Sequence, residues 1–248
     1  MTSESMLTAL AIILSVVSVA LSGWFSIRTA RLSHNLADER DRRLEERSAL
    51  KAAERVYEPL TQAAAELQSR LYNIVETGWV ELMRRYASHG DYAVTSTAFL
   101  FAHYLGWVEV RRQAVLDSSG EGSRDLDVQR LLDGVLKSLR RSEKSEAFLF
   151  FTSEQRAIGE LMSEWITISD SGQRIPQVMG YAAFSERYTA DPAFRQWFAS
   201  VELGMTVDSI DEKHRLIEIH RALVALIVHL DPKSKYTVGH EVKEMTLD

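Results

Sequence analysis

The chain reads as an all-α protein: one N-terminal transmembrane helix, a charged helical stalk and a cytoplasmic helical bundle. Three observations carry that expectation. An uncharged apolar run opens the 248-residue chain, apolar residues recur at three and four through most of the rest, and only 12 Gly and 4 Pro interrupt them. Cysteine is absent, which removes disulfides, thiolate metal sites and cysteine nucleophiles.

Residues 1–5 form a short extracytoplasmic tail, and residues 6–27 form the membrane span. Between Ser5 and Ile27 there is no charge. As a helix, Met6–Ile27 covers about 33 Å, enough to cross a hydrocarbon core. Arg28 and Arg31 follow at once, whereas the tail carries only Glu4. Positive residues stay on the cytoplasmic side, so the N-terminus is expected outside and the body in the cytoplasm. Ser18-Val19-Ala20 could serve as a signal-peptide cleavage site, but no Lys or Arg precedes the apolar run. Thr8, Ser15, Ser18, Ser22 and Ser26 share one helical face. Such a stripe allows close helix approach and self-association at the bilayer, or serves only to bond back to its own helix. An oligomeric pore lined by these hydroxyls is a further alternative.

Residues 28–56 form the stalk. Six acids and six bases alternate over residues 38–55, with Asp38–Arg42 and Glu39–Arg43 spaced as helical ion pairs. Leu44 and Leu50 are the only large apolar residues there, too few for a coiled-coil seam. The first 56 residues net +1 and the remainder −7, so the whole-chain −6 sits in the body. An acidic body argues against nucleic-acid binding.

The bundle spans residues 57–232, followed by a C-terminal tail over 233–248. Pro59 predicts a new helix, with Leu60, Ala64, Leu67, Leu71, Ile74, Gly78 and Leu82 on one face up to about Tyr86. A second helix over Tyr92–Leu116 is apolar nearly all round and belongs at the centre of a bundle. Residues 118–123 form a loop, and Leu126–Leu139 a shorter helix. Phe148–Phe151 is a strand or a buried connector. Thr152 and Gln155 predict a capping box opening a helix through Trp165, and Asp170–Pro176 is turn-like. Asp191-Pro192 predicts a capped helix carrying Phe194, Trp197, Phe198 and Val201. Ser209 and Glu212 cap a last helix, with Leu216, Ile219, Leu223, Ile227 and Leu230, that stops at Asp231-Pro232.

No phosphate-loop, dinucleotide, zincin or nucleophile-elbow signature occurs, and the reading names no cofactor and no metal. Asp211 and His214 form one acid–histidine pair, short of a ligand set. His103 and His220 fall on apolar faces, where a hydrogen-bonded core histidine is the first expectation. Glu109, with Arg112 three residues on, is expected to be a buried carboxylate of raised pKa or a structural pair. Glu154 is in register with Ile158, Leu161 and Trp165, while Arg156 and Glu160 form an i,i+4 pair. The capping box and a surface ion pair account for all three. The alternative is an enzyme with a carboxylate/Arg site built from Glu109, Glu154, Arg156 and Glu160.

The strings Tyr57-Glu58-Pro59-Leu60, Leu67–Ile74, Trp107-Val108-Glu109, Glu154–Glu160 and Leu230-Asp231-Pro232 resemble those of uncharacterised actinomycete membrane-anchored helical proteins. The resemblance covers about Tyr57 to Pro232. It implies a helical body in a bacterial cell and assigns no functional residue. The expectation is therefore a membrane-anchored homo-oligomer acting through an unidentified protein partner as scaffold, sensor or regulator. The detergent-solubilised chain should scatter light as more than a monomer, and the pore alternative is tested by bilayer conductance of Ser22→Leu. A monomer at every concentration overturns the serine-stripe reading.

Overall fold

The computed structural model describes residues 55–86, 90–117, 123–141, 145–167, 174–206, 210–237 and 245. By contacts the chain divides between Ala53 and Glu54, and every described residue belongs to the second unit. The expected membrane span, its serine stripe and all but the last two stalk residues lie outside the described residues. Among the described residues no helix is long and apolar enough to cross a membrane.

The described body is mostly helical, as its periodicity predicts, with one small hairpin that the sequence reading lacked. Helix α1 is under way at residue 55 and runs to 76, so Pro59 lies inside it and does not start it. Val56 and Leu60, one turn apart, are both buried, and their packing holds the helix through the lost N–H. The expected continuation to Tyr86 is broken. Gly78 takes a left-handed φ of 64°, a conformation open to glycine at little cost, and a separate helix α2 (Trp79–Arg85) begins after it. Leu82, placed on the apolar face by the sequence pattern, is accordingly 45% exposed.

Helix α3 (Gly90–Asp117) is the central element, and at 28 residues it is about 42 Å long. Ala98, Phe101, Ala102, Tyr104, Leu105 and Val110 are buried on it. It packs on α2, on α5 (Thr152–Met162), on both strands, on α6 (Tyr181–Ala190) and on α8 (Ala199–Gly204). A covered helix of this kind needs apolar residues on every side, which is what residues 98–110 supply. Helix α4 (Ser123–Arg140) lies along α9 (Ile210–Leu230), joining buried rows that include Leu132 and Val135 with Leu216 and Leu223. The expected loop over 118–123 falls outside the described residues except for Ser123, which is helical; the Ser209 cap is also outside them.

Phe148–Phe151 proves to be a connector. Phe148 has a φ of 54°, costly for a bulky side chain, and its N–H donates to the Ser200 carbonyl at 2.9 Å. That turn sends the Phe148 and Phe150 rings into the core, 5.8 and 5.3 Å from the Phe101 ring. Gly204 makes room for it, since a Cβ there would strike the Phe148 ring.

Helix α5 ends at Met162, three residues before the expected Trp165. Strand β1 (Ser163–Thr167) pairs antiparallel with β2 (Arg174–Val178), with Trp165 opposite Pro176. Residues 174–176, expected in a turn, are thus in a strand. Pro176 is tolerated because a two-stranded sheet has only edges. Helix α6, which the sequence reading did not find, buries Phe184 and Tyr188 one turn apart. Asp191 caps α7 (Pro192–Arg195), accepting from the Ala193 and Phe194 N–H groups at 3.0 and 3.2 Å, as its Asp-Pro signature predicts. A 3-10 turn over Gln196–Phe198 leads into α8. The tail expected after Pro232 is exposed over 233–235 and turns back onto the body from there. Asp231 accepts from the backbone N–H groups of Lys235, Tyr236 and Thr237, and Thr237 and Met245 are buried.

Helices α3 and α5 cross at two glycines. A Cβ on Gly106 would lie 2.7 Å from a Val178 methyl and 3.0 Å from the Met162 Cβ. A Cβ on Gly159 would lie 2.9 Å from both the Leu105 carbonyl oxygen and the Glu109 Cβ. Gly159→Ala should therefore destabilise the body by about 1–3 kcal/mol through overpacking, despite a helix-propensity gain of about 1 kcal/mol. Denaturant unfolding measures it, and a stabilised variant would refute the crossing.

Candidate functional site

Glu109 is the charged residue that this crossing covers. Its Cβ sits against Gly159, and the residue is only 4% exposed. A buried carboxylate must be met by donors, and α3 supplies them within one turn. Oε2 accepts from Arg112 Nε at 2.7 Å; Oε1 accepts from Arg112 Nη2 at 2.6 Å and from Gln113 Nε2 at 2.8 Å. Arg156 of α5 adds its Nε at 3.7 Å. Gln113 is oriented in turn by the Trp165 indole N–H on β1, 2.5 Å from its Oε1.

The sequence reading allowed Glu109 a raised pKa, and the structure reverses it. Burial alone would push the carboxyl up. The Arg112 and Gln113 hydrogen bonds and the Arg112 and Arg156 charges outweigh that and hold it below the ordinary carboxylate range. Such a group is ionised and fully engaged at neutral pH, a poor proton donor or acceptor for catalysis.

Beside it lies a cavity of 730 Å³, within the range of small-molecule sites. Leu105 and Val108 of α3, Leu136 of α4 and Phe151 at the head of α5 give it apolar walls. Glu109, Arg112, Gln155 and Arg156 bring polar groups to it, along with Thr152 and Ser153.

Of the four sequence candidates, Glu109 and Arg156 are thus brought together. Glu160 joins them indirectly: its Oε1 accepts from Arg156 Nε at 2.7 Å, the predicted i,i+4 pair, with both side chains about half exposed. Glu154 does not line the cavity. Its carboxylate accepts from the Phe151 N–H at 2.7 Å, so Phe151 is the cap and Glu154 the third helical residue. The predicted box is therefore one residue out of register. Gln155, assigned to that box, is buried instead and donates to the Phe150 and Leu136 carbonyls at 2.8 and 3.0 Å. It ties α4 to α5 beneath the cavity. Periodicity marked neither Gln113 nor Phe151 and set Gln155 in the cap, whereas the Gln113–Trp165 and Gln155–Leu136 contacts join residues 52 and 19 positions apart.

The remaining candidates serve elsewhere. His103 stacks on Phe99 at 5.1 Å and accepts from the Trp107 indole N–H at 3.2 Å. Fully buried His220 meets the Gln68 amide at 2.7 Å. Burial lowers both imidazoles from an ordinary 6.5 to about 4, with Arg221 adding to the shift at His220. Both are neutral at physiological pH, His220 in the core and His103 half-buried. His214 is exposed, and among the described residues no group of three His, Asp or Glu could hold a metal ion. Ser15, Ser18, Ser22 and Ser26 lie outside the described residues. Compared with family profiles, curated proteins and solved structures, the chain matches none.

The sign of the Glu109 shift fixes a pH dependence. A carboxylate whose folded pKa is below its unfolded value contributes stability above the unfolded pKa, and that contribution is lost as pH falls through the folded one. Glu109→Gln should cost about 1–3 kcal/mol at pH 7, the scale of hydrogen bonds to a charged group. The difference from the parent should shrink as pH falls below the carboxylate range. Urea unfolding at pH 7 and at acid pH checks both, and a difference that widens in acid would reverse the assignment.

Proposed function

We propose that the chain is a single-pass membrane protein of a bacterial cell, N-terminus outside, whose helical body works in the cytoplasm by contact with an unidentified protein partner and not by catalysis. The observation that carries this reading is the uncharged run over residues 6–27 closed by Arg28 and Arg31. The acidic balance after residue 56 supports it, since such a body is held off an anionic lipid surface. The saturated state of Glu109 supports contact over catalysis, because its hydrogen bonds are taken by Arg112 and Gln113.

The absence of cysteine makes orientation directly testable. Single cysteines placed by Ser3→Cys and by Ala190→Cys, at the end of α6, can be labelled in intact cells with a membrane-impermeant maleimide. Ser3→Cys should label from outside and Ala190→Cys only after permeabilisation. The opposite pattern, or labelling of both from outside, overturns the topology. Crosslinking from membranes should then recover a second protein; recovery of this chain alone counts against a regulator of something else.

A further inference from the structure

The charges around the cavity are arranged asymmetrically. Arg112 spends its Nε and Nη2 on Glu109. Arg156 spends its Nε on Glu160, and the same atom lies 3.7 Å from Glu109. Arg156 Nη1 and Nη2 and Arg112 Nη1 make no hydrogen bond among the described residues. A carboxylate thus engages part of each guanidinium and leaves its other N–H groups unspent, on two residues that both line the cavity. Arg112 and Arg156 are 38% and 50% exposed, so those groups can reach a ligand from solvent.

Glu109, the acid that lines the cavity, offers no such opportunity. Both Glu109 oxygens are already bonded to protein donors, so a cationic ligand would have to displace Arg112. Anions meet the opposite situation. The Nη1–Nη2 edge of Arg156 is a planar fork that matches the two oxygens of a carboxylate. Next to it, the Leu105, Val108, Leu136 and Phe151 walls favour a hydrocarbon portion, and Ser153 adds a hydroxyl at the lining.

From this pairing of an apolar cavity with unspent guanidinium edges, we infer that the cavity between α3, α4 and α5 binds an alkyl carboxylate, its head on Arg156 and Arg112 and its tail against Leu105, Leu136 and Phe151. The site belongs to the helical body alone and does not rest on the membrane topology. It gives the body a small-molecule input in addition to any protein contact.

The test uses the full chain in lipid nanodiscs, with empty nanodiscs as the blank, titrated calorimetrically with octanoate, octanol, octyl phosphate and acetate. Octanoate should bind most tightly, octanol more weakly for want of the charge, and acetate more weakly for want of the tail. Arg156→Gln should weaken octanoate about tenfold, the scale of one charge-assisted contact, and leave octanol unchanged. Arg156→Lys, which keeps the charge and loses the fork, should fall between. A merely structural role for Arg156 would move octanoate and octanol together. The inference is overturned if octanoate does not bind, if octanol binds equally well, or if octyl phosphate binds as tightly. Unchanged octanoate affinity in Arg156→Gln overturns it as well.

Discussion

The close crossing of α3 and α5 is the constraint from which the rest of the body follows. Two helices can approach this nearly only where a side chain is missing from each, and Gly106 and Gly159 provide those gaps. The approach covers Glu109, which then has to be satisfied from within the protein. Arg112 and Gln113 lie one turn along the same helix and do so. Gln113 reaches Trp165 and so couples the hairpin to the carboxylate. The same crossing seats Val178 and Met162 over Gly106, and the Met179 N–H closes onto the Met162 carbonyl at 2.8 Å. Small residues at one contact thus set the position of a buried charge, a hairpin and one wall of the cavity.

Elsewhere in the body, many buried polar groups are likewise bonded to partners within it. Buried Arg215 donates to the Ala147, Ser145 and Arg141 carbonyls and holds the connector between α4 and α5. Glu202 accepts from Tyr188 and Arg195 at 2.6 and 2.7 Å; burial would raise its pKa, and those two partners lower it instead. Arg70 lies 3.9 Å over the Trp79 ring and donates to Ser96 and Thr97, joining α1, α2 and α3. Against this background, Arg112 and Arg156 are distinctive because both carry unspent N–H groups and both line a cavity. That difference separates a charge network that only holds the fold from one that can also receive a ligand.

Much of the helical framework is legible in the residues. The all-apolar stretch of α3, the Asp191-Pro192 start and the stop at Asp231-Pro232 are local signals, and each acts on neighbours within a turn or two. The misses have separate physical causes. Gly78 occupies an apolar register position, yet its backbone freedom ends a helix there. Trp165 continues a helical pattern, yet it stands in β1 opposite Pro176 of β2, a pairing that no local pattern announces. Glu154 and Gln155 exchanged roles because a one-residue change of cap rotates every later side chain by about 100°. In α6, two buried aromatics in a short helix give too little periodicity to stand out.

For the candidate site, the sequence by itself determined the residue types and the short-range pairs: Glu109 with Arg112, and Arg156 with Glu160. Both are set by helical spacing alone. It also determined the charge-free run and the arginines from which the topology is proposed. Only the tertiary structure decided that Glu109 and Arg156, 47 positions apart, share one cavity while Glu154 turns away to cap its own helix. It likewise decided that Glu109 is held ionised, not protonated. The physical reason is that a side chain's burial and partners depend on which helices cross and how closely. That distance is fixed by glycines whose effect appears only once two helices are packed together.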